Sequence, residues 1–173
     1  MSSCTYGYGV DLTRLTAVQG SGDANLLSEL VETAPTDPFA EPGEPTICDG
    51  LQALIDGNLL DSYEGRAQQL YALELLCQRF GKQLDGQEHI GYLEDLGWET
   101  AAMEQRSPLD LPAADDFPMS GYLTADEVVE EYARLKDEEI EDEPPELADA
   151  REEFVWWLKQ CADKGLALVT FTY

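Results

Sequence analysis

Hydrophobic and polar residues alternate at both ends of the chain. Residues 3–10 place the larger side chains on one face and small residues, including two glycines, on the other. The segment ALVTFTY at 167–173 alternates in the same way and contains no charged residue. A period of two with aromatic and β-branched residues is typical of strands. The pattern therefore predicts one strand at each end, and we expect the two strands to pair and shelter the uncharged segment from solvent.

Helical periodicity covers much of the chain between these strands. Short helices are expected after Asp11 and Asp23, because aspartate is a favourable N-cap residue. Longer helices are predicted at 46–56, at about 62–80, after Thr124, and from about Pro145 to about Asp163. The pattern weakens between 84 and 118, where Trp98 and Met103 indicate one short helix.

Two of these helices define the expected core. The 62–80 segment is apolar on most of its surface, which predicts a buried central helix. The helix after Thr124 is predicted to run toward Pro144 and to bury a stripe formed by Val128, Val129, Tyr132 and Leu135. Together the elements predict an α+β fold with a single domain over 1–173. A small sheet that includes the paired N- and C-terminal strands would be packed by several amphipathic helices.

The charge balance narrows the classes of partner. The chain has 36 Asp and Glu against 10 Lys and Arg, which gives a formal net charge of -26. Such a surface repels phosphates and anionic lipids, so we expect no direct nucleic-acid binding and no membrane binding. It attracts basic proteins. The alternative is that the acidity is only an adaptation to salt or to solubility.

The cysteines and the apolar runs indicate a compartment. Four cysteines are dispersed along the chain without a CxxC motif, which favours reduced thiols over a disulfide framework. The first ten residues have neither a basic region nor a long apolar run, and no stretch approaches 18 apolar residues. These features predict a cytoplasmic protein with no signal peptide and no membrane span.

Motifs for catalysis or cofactor binding are weak. His89 is the only histidine, and no nucleophile lies near it in sequence. The glycine pairs in GYGV and GSGD do not extend to a GxGxxG motif or a P-loop, and DEEIEDE lacks the spacing of a calcium loop. We therefore predict no catalytic residue, no cofactor and no metal site, and regard an enzyme as the less favoured class.

One aromatic residue is the best lead to an interaction site. Helical spacing places Trp156 among acidic neighbours and opposite Phe154 and Trp157. An indole on a charged face is a candidate anchor for a partner, although the irregular 84–118 segment or the proline-rich loop could instead fold over it. The predicted partner-binding residues are Trp156, Glu152, Glu153, Glu130, Glu138 and Glu141.

A second candidate region lies near the first strand. Its two glycines leave one face flat, so that another element or a ligand could approach closely. The candidate pocket residues are Tyr6, Tyr8 and Glu74. Glu74 projects close to the apolar stripe of the central helix, and we expect it to reach the helix edge and meet water, Arg66 or Arg14. If it were buried, it would need a partner or a raised pKa.

Four stretches carry a resemblance to known sequences. They are YGYGVDLTRLTAVQGSGD, YALELLC, GYLTADEV and FVWWLKQCADKGLALVTFTY. In these stretches the chain resembles a family of small uncharacterised bacterial proteins. More distantly, it is similar to YfbM-like proteins, which begin with a short strand and end in helix-Gly-strand. The resemblance implies an α+β domain and implies no activity.

Three functions remain open from the sequence. The favoured one is a non-enzymatic acidic interaction protein, of the immunity, inhibitor or regulator type, that binds a basic protein partner. The second is a small-molecule binder or enzyme with a pocket near the N-terminal strand. In the third, the acidity reflects only salt or solubility. The oligomeric state is unknown at this point.

Overall fold

The two terminal strands pair with each other, as the alternation predicted. The computed structural model describes residues 4–35, 42–85, 106–111, 118–138 and 143–173. The strands are β1 (Thr5–Val10), β2 (Gly81–Gln83), β3 (Met119–Leu123) and β4 (Ala167–Thr172). They form an antiparallel sheet in the order β2-β1-β4-β3, with Tyr8 opposite Val169.

The helices cover both faces of this sheet. They are α1 (Leu12–Thr16), α2 (Ala24–Thr33), α3 (Ile47–Asp56), α4 (Tyr63–Phe80), α5 (Ala125–Leu135) and α6 (Pro145–Ala162). Helices α1 to α4 pack on the face that carries Tyr8, Val169 and Phe171. Helices α5 and α6 pack on the face that carries Leu123 and Leu168. The described residues thus form an α+β fold in three layers, and α4 contributes most of the centre of the first core.

The predicted caps explain where several helices begin. Thr46 and Thr124 each form a complete capping box, in which the threonine and the acid three residues later bond each other's backbone N–H. Asp11 and Asp23 accept hydrogen bonds from the first turns of α1 and α2. These side chains satisfy backbone donors that would otherwise have no partner.

The flat glycine face of β1 is occupied by a tryptophan. A Cβ atom built on Gly7 would lie 2.6 Å from Cε3 and Cζ3 of Trp157, whereas one on Gly9 would lie 3.3 Å from Cys161 Sγ. Trp157 is fully buried, and its indole Nε1 donates a hydrogen bond to the Asp85 carbonyl at 3.1 Å. Because Gly7 and Gly9 have no side chains, α6 can pack directly against β1.

The structure corrects two details of the helix after Thr124. Val129 is 53% exposed and does not belong to the buried stripe, because successive helical residues point about 100° apart and Val128 takes the position that faces the sheet. The helix also ends at Leu135, well before Pro144, in a turn that is closed by the Glu138 N–H donating to the Leu135 carbonyl.

The predictions and the structure do not cover the same elements. Strands β2 and β3 were not predicted, although both extend the sheet that the terminal strands begin. The predicted short helix around Trp98 and Met103 lies outside the described residues, and so does His89.

Candidate functional site

Trp156 lies in a shallow groove between α5 and α6 and is 48% exposed. The groove has a volume of about 340 Å³. Its lining residues are Tyr132, Lys136, Arg151, Glu152, Val155, Trp156 and Lys159. The helical periodicity therefore located this indole correctly, on the side of α6 that faces away from the buried Trp157.

The immediate surroundings of Trp156 differ from those inferred from α6 alone. Sequence spacing placed acidic residues around the indole, but three cations also line the groove, and the Lys159 ammonium lies over the Trp156 ring at 5.9 Å from its centroid. Helical spacing could have identified Lys159, which follows Trp156 by three positions. Lys136 comes from α5's C-cap, so only the packing of the two helices reveals it.

Each of these cations has an acidic partner. Arg151 donates to both carboxylate oxygens of Glu143 at 2.9 and 3.0 Å and to the Glu138 carbonyl at 3.0 Å. The hydrogen bonds that Arg151 donates to the Glu143 carboxylate raise the pKa of Arg151. Lys159 lies 2.6 Å from Asp163, and this hydrogen bond raises its pKa.

A second arginine on this surface, in α5, is neutralised in the same way. Arg134 donates two hydrogen bonds to Glu131, at 3.0 and 2.6 Å, and lies 3.7 Å from Glu138. The cations of α5 and α6 are therefore largely compensated by neighbouring carboxylates. The charge that remains on this surface is negative.

The predicted acidic residues occupy different environments. Glu130 on α5 and Glu152 on α6 are exposed, and neither forms an ion pair within 4 Å among the described residues. Glu138 and Glu153 are half-buried, and Glu138 is engaged with Arg134. Glu141 lies outside the described residues. The structure thus brings Glu152 and Trp156 together in one groove and leaves Glu130 exposed on the neighbouring helix.

The second candidate region forms a hydrogen-bonded cluster. The Tyr8 hydroxyl donates to Glu74 Oε1 at 2.6 Å, and the Tyr173 hydroxyl donates to Glu74 Oε2. Gln78 Nε2 donates to the Tyr8 oxygen at 3.3 Å. Burial, followed by the hydrogen bond to Glu74, raises the pKa of both tyrosines.

Aromatic packing completes this cluster. The ring of Tyr6 meets that of Tyr173 edge-on at 5.9 Å, and the ring of Tyr71 stacks on that of Tyr173 at 5.9 Å. The expectation that Glu74 meets Arg14 was wrong, since two phenols bind its carboxylate and Arg14 lies over Phe80. The cluster joins α4 to β1 and to the residue that follows β4 through one half-buried carboxylate.

Other site classes find no support in the described residues. In that part of the chain, no group of three or more His, Cys, Asp or Glu side chains could hold a metal ion. None of the helices there combines the length and apolar character that a membrane crossing needs. All four cysteines have free thiols, and Cys77 and Cys161 are buried.

Sequence comparison identifies the family. The chain belongs to the family described as a domain of unknown function, DUF7691, whose model matches residues 1–173. This confirms the resemblance to an uncharacterised family, while the likeness to YfbM-like proteins finds no support. Comparison with curated proteins found no match. Comparison with solved structures found none either.

Proposed function

We propose that this chain is a non-enzymatic interaction protein that binds a basic protein partner through the surface of α5 and α6 around Trp156. The observation that carries the proposal is the half-exposed indole beside the exposed Glu152 carboxylate, which forms no ion pair within 4 Å among the described residues, on a surface whose cations already have acidic partners. Large aromatic side chains with a polar rim are the usual anchors of protein interfaces.

The net charge supports the same partner class. A formal charge of -26 attracts a basic protein at long range and raises its association rate, and salt weakens this effect. An inhibitor, an immunity protein or a regulator would use such a surface. We also propose a cytoplasmic location, which suits four free thiols.

Charge reversal at matched positions tests the proposal. The site variant is Glu130→Lys with Glu152→Lys, and the control is Glu32→Lys with Asp56→Lys, two exposed positions in α2 and α3 on the opposite side of the sheet. Both double variants change the net charge equally. The partner would be purified with the native protein at low salt, and its affinity for each variant would be measured by calorimetry at several salt concentrations.

We expect the site variant to lose at least about tenfold in affinity and to show a weaker salt dependence, because it removes charges at the contact. The control should lose much less, since it alters only the long-range field. Equal losses for the two variants would refute the proposed surface. Unchanged affinity in both, with stability rising strongly in potassium chloride, would favour the explanation of acidity as salt adaptation.

A further inference from the structure

The ring of Trp156 already holds a cation within the molecule. The Lys159 ammonium lies 5.9 Å from the ring centroid, at the outer limit of a cation–π contact. The same ammonium is 2.6 Å from the carboxylate of Asp163, the C-cap residue of α6. Lys159 therefore has a strong partner to which it can retain its hydrogen bond when it leaves the ring.

A carboxylate lies one turn before the indole. Glu152 precedes Trp156 by four positions, so both side chains project from the same side of α6, and both line the groove. Lys136, Arg151 and Lys159 have Asp137, Glu143 and Asp163 as neighbours within 4 Å, whereas Glu152 has no such ion pair among the described residues. An incoming cation would thus find an aromatic ring and an available carboxylate side by side.

We infer that the groove receives an arginine side chain of the basic partner, stacked on Trp156 and paired with Glu152, and that Lys159 competes with it for the ring. This assignment rests on the proposed function and adds the chemistry of the contact. Arginine fits better than lysine, because its planar guanidinium stacks on an aromatic ring while its N–H groups bond a carboxylate in a bidentate manner.

The competition predicts an unusual direction for one substitution. Removing the charge of Lys159 should strengthen arginine binding by about two- to fivefold, because the ring no longer holds an internal cation. The double variant Lys159→Gln with Asp163→Asn keeps the net charge of the parent and should show the same gain. Lys164→Gln changes the net charge by the same amount as Lys159→Gln, at an exposed site beyond the helix, and should have little effect.

The experiment is an NMR titration that follows the indole N–H signal of Trp156, identified by its loss in Trp156→Phe. The probes are the N-acetyl, N-methylamide forms of arginine, of lysine and of citrulline, the neutral analogue of arginine. We expect a saturable shift that is largest for arginine and nearly absent for citrulline. Glu152→Gln should weaken arginine binding by about two- to fivefold.

Three results would overturn the inference. Citrulline could bind as well as arginine, lysine could shift the signal as much as arginine, or the charge-neutral double variant could bind arginine no better than the parent. The proposed function fails separately, through equal losses in the two charge-reversed variants with the whole partner. Suppose that the site variant with Glu130→Lys and Glu152→Lys loses affinity for the partner, while the variant with Lys159→Gln and Asp163→Asn binds both the partner and arginine as the parent does. The proposed surface is then supported, and the assignment of arginine as its ligand is refuted.

Discussion

The close contact between β1 and α6 allows a sharp test of the fold. A methyl group at Gly7 would lie 2.6 Å from two carbons of the Trp157 ring, about 1 Å closer than ordinary van der Waals contact. The ring has little freedom to move, because it is fully buried and its indole N–H donates to the Asp85 carbonyl at 3.1 Å. Gly7→Ala therefore forces either the strand or the helix to shift.

The expected cost is the difference between two effects. Overpacking a well-packed core costs about 1–3 kcal/mol. Replacing glycine by alanine in a strand recovers about 0.5–1 kcal/mol, because the unfolded chain loses freedom. Because an approach of 2.6 Å forces a shift of the packed groups, we take the overpacking cost as about 2–3 kcal/mol, and Gly7→Ala should thus lower the free energy of unfolding by about 1–2.5 kcal/mol. Gly9→Ala is the matched control, since its methyl group would come no closer than 3.3 Å to Cys161 Sγ and 3.4 Å to Leu166 Cδ1, and it should change stability by less than about 0.5 kcal/mol.

Urea unfolding followed by far-UV circular dichroism measures both variants without relying on tryptophan fluorescence. A double-mutant cycle with Trp157→Leu isolates the contact, because the shortened side chain makes room for the new methyl group. We expect Gly7→Ala to cost clearly less in the Trp157→Leu background than in the parent. If Gly7→Ala were as stable as Gly9→Ala, or if the cycle showed no coupling, the close approach of α6 to β1 would be refuted.

Two further predictions concern the hydrogen-bonded carboxylates. Tyr8→Phe should lower the free energy of unfolding by about 1.5–3 kcal/mol, because it removes a hydrogen bond to the Glu74 carboxylate. Because the pKa of Tyr8 is raised in the folded state, its contribution to the free energy of unfolding is complete below the unfolded pKa of about 10 and is lost as the pH rises above that value. Urea unfolding at pH 8 and at pH 11 should therefore show a smaller loss of stability at the higher pH in Tyr8→Phe than in the parent. At the start of α5, the hydrogen bond from the Thr124 backbone lowers the pKa of Glu127, so its contribution is present above the unfolded value and lost at lower pH. Glu127→Gln should be less stable than the parent at pH 7, and thermal unfolding should show the difference shrinking below about pH 4.

The terminal strands were predictable because their pattern is local. The alternation over 3–10 and 167–173 determines which side chains share a face. Neither strand carries charged residues that would protect an exposed edge, so pairing of the two strands is the simplest arrangement. Strand β3 was missed because Ser120 and Gly121 interrupt its apolar pattern immediately before the Thr124 capping box. Strand β2 has only three residues, and its strand conformation depends on pairing with β1, which a local pattern cannot show.

The candidate site divides in the same way. Helical periodicity was sufficient to predict that Trp156 is exposed and that Glu152 lies beside it, since both positions belong to one helix. Lys136 joins the groove from another helix, and Tyr8 meets Glu74 across 66 positions of sequence. Such contacts depend on the packing of α5 on α6 and of α4 on β1, so the sequence pattern could nominate these residues without revealing their partners.

The charge of the α5–α6 surface shows why a count of acidic residues is an incomplete guide to binding. The described arginines of this surface, Arg134 and Arg151, each hold neighbouring glutamates and therefore neutralise part of the local excess. The charge that a partner would contact therefore comes from the carboxylates that form no ion pair, and Glu152 is such a carboxylate beside the indole. We therefore propose that specific recognition depends on Glu152 beside Trp156, while the remaining acidic residues contribute a field that any basic protein would experience. For this reason the matched charge reversals, and not the overall salt dependence, separate a dedicated binding surface from general acidity.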